Sequence, residues 1–273
     1  LDIPILILVG VLVGIVGGMF GVGGGIILIP ALSEVLGPNQ HLYQSTAMIV
    51  NLFVAVPAVY QHRMAKAIDF GAVVRIIPVA VVAVVFGVAV SELRVFTGAG
   101  EATLRGLFGA FLFSCAVYDV YRLLRQAGFA PPTAAVPSSK PLSWTALAVI
   151  AIPTGFISGL LGVGGGIVAV PLQRRFLGLP VRTAIANSAA IIVATSLVGA
   201  IVKNYAYLRD AEGQTRPVLL AGVLIPPAVL GSLLGSRLTH RVSARLVKGG
   251  FVLLLLAASI RLIQGALADR ASS

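Results

Sequence analysis

Apolar runs close to the length of a bilayer span follow one another along this chain, and that succession limits the fold more than any single motif. Residues 70–91 hold one charged side chain, Arg75, and the stretch VAVVAVVFGVAV within them shows no polar alternation. A helix needs about 20 apolar residues to cross hydrocarbon. A transmembrane barrel would alternate lipid-facing and lumen-facing positions, which these runs do not. Only 11% of the 273 residues are charged and 58% are hydrophobic, whereas soluble domains carry about 25% charged residues. The expected class is an all-α polytopic membrane protein.

Long helices are expected at 3–18, 42–60, 70–91, 103–124, 144–161, 183–205, 217–238 and 247–263, with shorter apolar pieces at 26–36 and 167–172. The first run lacks a basic n-region and a small-residue cleavage site, so it reads as a span and not as a signal peptide. The net charge of +11 does not indicate a nucleic-acid partner. Lys and Arg fall mostly between apolar runs, where cations meet anionic lipid and set topology. One cysteine and three histidines are no material for a disulfide framework or a Cys/His metal site, and no cofactor is expected.

The halves repeat. GMFGVGGGIILIP at 18–30 matches GLLGVGGGIVAVP at 159–171 in eight of thirteen positions, at an offset of 141, and Ile77-Pro78 corresponds to Ile225-Pro226. Residues 1–127 read as the first transmembrane repeat, 128–142 as a Pro-, Ala- and Ser-rich linker, and 143–268 as the second repeat. Such duplication is a frequent build for secondary transporters. The piece after the second motif meets Gln173, Arg174 and Arg175 after six apolar residues. At about 1.5 Å per residue it cannot cross a core of about 30 Å. A re-entrant hairpin makes the halves inverted, whereas a single broken helix makes them parallel. Inverted halves place thirteen Lys and Arg on one side and seven on the other; parallel halves give eleven and nine. The larger bias favours inversion, with both termini outside and the linker in the cytoplasm.

The glycines allow three readings. A phosphate loop needs Lys and Ser/Thr at the start of the helix, but Ile-Ile-Leu-Ile follows Gly25 and Ile-Val-Ala-Val follows Gly166. Close helix packing suits Gly10, Gly14 and Gly18, and Gly155 and Gly159, which are spaced by four. It does not account for the consecutive Gly23, Gly24, Gly25 and Gly164, Gly165, Gly166 with Pro30 and Pro171 five residues on. Those read as helix breaks whose freed N–H groups would hold an anion at mid-membrane.

This duplicated GxGGGxxxxP motif, the Ser/Thr/Asn-bearing helix after it and the four-plus-four arrangement resemble the TauE/SafE family of sulfite and organosulfonate exporters, over nearly the whole chain. The resemblance implies a multi-pass transporter of the bacterial inner membrane for sulfite, sulfoacetate or related sulfonates. It also implies a site made of the two glycine triplets, their prolines and the polar starts of the following helices.

Those starts are QSTAMIVN and NSAAIIVATS. Gln44, Ser45, Thr46 and Asn51, with Asn187, Ser188 and Thr195, are candidate neutral donors to a sulfonate. Ordinary interhelical hydrogen bonding, at about 0.6 kcal/mol on average in membranes, is the competing explanation for each. Lys203 and Arg75 are candidate entrance charges. Asp119, with Arg122 three residues on, is the one plausible carboxylate for proton coupling. Arg105 and Arg261 lie near span ends, and His41, His62 and His240 at helix ends read as solvated. The expected partners are a small anion and the lipid bilayer, with a homodimer left open. An anion channel of the same architecture is the first rival. A membrane enzyme or cofactor-assembly protein would need a His/Cys/Asp/Glu constellation that the sequence does not offer.

Overall fold

A computed structural model describes residues 3–125, 143–205, 216–241 and 244–272. Among these residues the fold is helical, with ten α-helices and no strand. They are α1 (Ile3–Phe20), α2 (Gly25–Leu36), α3 (Gln40–Met64), α4 (Phe70–Ser91), α5 (Glu101–Arg125), α6 (Trp144–Leu161), α7 (Gly166–Phe176), α8 (Val181–Tyr205), α9 (Arg216–Arg241) and α10 (Ala244–Ser272). Two single-turn 3-10 helices, Arg94–Phe96 and Gly98–Gly100, join α4 to α5. By length and composition α1, α3, α4, α6, α8 and α9 can each cross a membrane. The central linker lies outside the described residues.

Three expectations need correction. Helix α7 does not stop at Leu172 but continues through Gln173, Arg174 and Arg175 to Phe176, because Gln173 is buried against α8. The breaks do not sit at the prolines. Pro30 and Pro171 lie at the middle of α2 and α7, where each removes one i→i−4 backbone bond without ending its helix. Helix α10 runs to Ser272, well beyond residue 263.

Small residues govern the packing. Helix α1 lies along α9, and α4 along α6. A Cβ built on Gly14 would stand 2.0 Å from the Ala228 carbonyl oxygen, and one on Gly18 2.5 Å from that of Ser232. In the other pair, Gly155 and Gly159 meet the carbonyl oxygens of Ala80 and Val84 at 2.0 and 2.1 Å. Lipid offers little hydrophobic drive for helix association, so backbones that approach this closely gain dispersion and weak polar contact instead. Both pairs run parallel, since contact positions rise together along the two chains.

Helices α3 and α8 run antiparallel through the centre. The Asn204 side chain reaches the Ser45 carbonyl at one end, Gly199 lies against Met48, and Asn187 at the start of α8 meets Asp69 beyond the end of α3. Helix α2 starts beside Asn51, midway along α3, and ends at Gly37, where the Tyr43 hydroxyl donates to the Gly37 carbonyl. Thus α2 turns back toward the side on which α3 begins. With 12 residues it is about 18 Å long.

The helix partnerships exchange when the halves are exchanged: α1 packs on α9 as α6 packs on α4, α3 on α9 as α8 on α4, and α5 on α10.

Candidate functional site

The two glycine breaks meet at the centre of the molecule. A Cβ on Gly23 would lie 2.6 Å from the Val163 carbonyl oxygen, one on Gly25 2.6 Å from that of Gly162, and one on Gly166 2.1 Å from that of Gly21. Backbone therefore touches backbone, which only glycine permits. Gly23, Gly164 and Gly165 also sit at φ of 80°, 83° and 77°, the left-handed region that a side chain resists.

Asn51 stands between the loops and binds both. Its Oδ1 accepts from the N–H groups of Gly24 at 2.6 Å and Gly25 at 2.9 Å. Its Nδ2 donates to the Gly162 carbonyl of the other break at 3.1 Å. One fully buried amide thus caps α2 and pins it to the second loop. Ser188 makes a comparable link in the opposite sense, its Oγ donating to the Gly21 carbonyl at 2.6 Å. Gln44 donates to the Leu160 carbonyl at 3.1 Å and packs over Gly162.

The copies differ at their helix starts. Helix α7 begins after Gly165, which has no side chain to offer an acceptor. Backbone bonding resumes only with Val168 and Ala169 donating to Gly165. The first N–H groups of a helix have no partner within it, and Gly164, Gly165 and Gly166 are buried. The position corresponding to Asn51 in the second half is Ile192: α3 and α8 both run 25 residues at the motif offset of 141, and Ile192 lies against Gly164 as Asn51 lies against Gly23. Among the described residues no side chain bonds the N–H groups at the α7 start as Asn51 bonds those at the α2 start.

The remaining candidates have more local work. Asn187 accepts from the Asp69 N–H at 2.8 Å and donates to Gln173 at 3.0 Å, away from the glycine loops. Thr195 donates to the Ile191 and Ile192 carbonyls of its own helix. Thr46 does the same with Leu42 and reaches the Pro217 carbonyl at 3.5 Å. The Ser45 hydroxyl and Gln44 Oε1 are buried without a partner.

Lys203 is not an entrance charge exposed to solvent. Its side chain is fully buried, and its ammonium donates to Ser91 Oγ at 2.8 Å, to Glu92 Oε1 and to His41 Nδ1 at 2.9 Å. His41 also bonds the Phe96 carbonyl through Nε2 at 2.8 Å. His41 and His62 are buried, not solvated. Burial raises the Glu92 carboxyl, but the hydrogen bonds and charges of His41 and Lys203 outweigh it and bring the pKa down to about 2. The sequence reading missed this cluster, since its members come from three helices and lie up to 162 residues apart. The usable signal was a Lys inside a span with a Glu just beyond another.

Arg75 is exposed on α4. Arg261 pairs with Glu34 at 3.6 Å on the surface, and Arg105 is buried. The side chains of Asp119, Arg122 and His240 lie outside the described residues. Among the described residues no group of three His, Cys, Asp or Glu could hold a metal ion.

Six apolar helices, two glycine-broken segments and a neutral polar centre define a multi-pass helical membrane protein built like a transporter. The comparisons agree: residues 6–262 match the family described as "Sulfite exporter TauE/SafE", and the chain belongs to that family. It is 27% identical to the "Probable membrane transporter protein MamO" of Magnetospirillum gryphiswaldense, over 92% of this chain and 43% of that protein. It is likewise 27% identical to the "Probable membrane transporter protein MJ0441" of Methanocaldococcus jannaschii, over 89% of this chain and 88% of that one. The chain thus spans less than half the length of the two MamO proteins it matches. No solved structure matches it.

Proposed function

We propose that the chain is a secondary transporter that exports small sulfur-containing anions, such as sulfite, sulfoacetate or other organosulfonates, across the bacterial inner membrane. The observation that carries this reading is the uncapped start of α7, buried where the two halves touch. Its positive end favours negative charge without a buried cation, and the Asn51 Nδ2, 3.3 Å from where a Gly164 Cβ would stand, adds a neutral donor. The halves are read as inverted repeats, a reading supported by antiparallel α3 and α8 and by the exchangeable packing partners.

In the conformation described, the loops lie too close for an oxyanion to enter. Transport on this reading requires them to part, which breaks the Asn51 to Gly162 and Ser188 to Gly21 hydrogen bonds and opens the α7 start to one side. This backbone seal favours a carrier over a continuous channel. Export of a monoanion gains about 2.3 kcal/mol per 100 mV of inside-negative potential, so no coupling ion is required.

Proteoliposomes test the reading. Labelled sulfite and sulfoacetate should show saturable counterflow, and efflux should follow imposed voltage. No flux above protein-free liposomes for any sulfonate refutes the substrate class. Flux that ignores voltage and follows ΔpH refutes the electrogenic step.

A further inference from the structure

Lys203 lies at the end of the molecule where α3 starts, α4 ends and α8 ends. Its three acceptors differ in kind. Ser91 and His41 are neutral-capable groups buried with it, and only Glu92 supplies a full negative charge. Glu92 is also the partner in reach of solvent: its side chain is 44% exposed, while that of Lys203 is 0%. A buried ammonium must keep a counter-charge, but nothing requires that charge to come from the protein. If the Glu92 carboxylate swings outward and a small anion takes its place, the buried charge balance is unchanged and the Ser91 and His41 bonds remain.

The surroundings extend this point inward. His41, Gln44 and Asn51 occupy one stripe of α3, meeting Lys203, Leu160 and Gly162 in turn. Ten residues of helix separate the outer member from the inner, a rise of about 15 Å. Along this stripe Gln44 Oε1, the Ser45 hydroxyl and Asn204 Oδ1 are buried without hydrogen-bond partners, which native interiors rarely tolerate without a reason. The stripe leads from the Lys203 ammonium to the glycine loops.

We propose that Lys203 is an anion-binding site at this end of the path, with the Glu92 carboxylate as its resident and displaceable occupant. The site takes a small monovalent oxyanion and is separate from the α7 start. It rests on the anion-transport reading above only for the identity of the physiological anion.

The test is anion-dependent thermal stabilisation of the purified full chain, using sulfite, methanesulfonate and nitrate, with gluconate as a bulky control. An occupant that fills a site nine tenths of the time weakens an outside ligand about tenfold, so Glu92→Gln should bind small anions about tenfold more tightly than wild type. Adding Lys203→Gln to that variant should abolish the gain. Glu92→Asp, which keeps the charge and the fold but shortens the reach, should give a smaller gain in the same direction. Unchanged anion affinity in both Glu92 variants, or a gain that survives Lys203→Gln, overturns the proposal. Wild-type stabilisation by anions that no variant alters would leave the α7 site standing and remove this one. No stabilisation of any variant would remove both.

Discussion

Asn51→Leu is the sharpest perturbation the structure offers. Leu keeps the branched shape of Asn but is bulkier, so the change removes the hydrogen bonds without opening a cavity, and overpacking against the loops adds to the loss. It leaves the Gly24 and Gly25 N–H groups and the Gly162 carbonyl without the partner they now have. An orphaned buried polar group costs about 1–3 kcal/mol. Side-chain hydrogen bonds in membranes average only about 0.6 kcal/mol, because the unfolded chain also finds partners. The first figure should win here, since the orphaned groups are backbone at the protein centre and three are lost together. The expected loss is about 3 kcal/mol, taking about 1 for each group. Reversible unfolding in mixed micelles would measure it, with Thr195→Val as a control. The Thr195 hydroxyl bonds only its own helix, so the control should be nearly neutral. A loss in Asn51→Leu no larger than in the control would refute the argument. It would mean that water or backbone adjustment re-satisfies the loops and that Asn51 does not hold the breaks together.

Other outcomes follow from the same structure. Gly155→Ala and Gly159→Ala should each block folding or expression, because the added carbon would lie about 2 Å from a carbonyl oxygen of α4, tighter than a packed core accepts. Gly222→Ala, which meets nothing within 4 Å, should be neutral or slightly stabilising in thermal unfolding, as Ala favours helix. The Glu92 carboxyl falls from 4.5 to about 2 on folding. Its contribution to stability should be complete above about pH 4.5 and disappear as pH falls through about 2. Wild type should therefore exceed Glu92→Gln in unfolding midpoint at neutral pH, and the gap should close over that window. Replacing Asn187 by Leu should loosen the opposite end by releasing both the Asp69 N–H and Gln173, and hydrogen exchange at the start of α4 would report it.

The helices were legible because span length and apolarity are local properties. The edges of α3, α4, α6 and α8 fall within a few residues of expectation. The packing glycines were legible too, since spacing by four places them on one helix face. What the glycine triplets bind was not. Gly25 and Asn51 lie 26 residues apart, on separate helices whose register depends on how α2 turns back. The repeat also misled at this point. It suggested two equivalent helix ends aimed at one central site, but the second half has Ile192 where the first has Asn51, and one side chain removes the equivalence. Polar type alone likewise could not separate Gln44, which reaches the loops, from Thr195, which bonds only its own helix. The Lys203, Glu92 and His41 cluster was hidden for the same reason: burial of a charge is a tertiary fact, and the sequence shows only its distance from a helix end.

Helix α1 takes its place against α9, where the Thr239 hydroxyl reaches the Met19 carbonyl across 220 residues of chain. A ribosome adds about 5–20 residues per second, so the glycine face of α1 waits about 10–45 s for the partner that covers it. During that time two grooves sized for backbone are filled by lipid or by the insertion machinery. The first four helices cannot mature alone, and a nascent chain stalled before α9 should be recognised and degraded as unassembled.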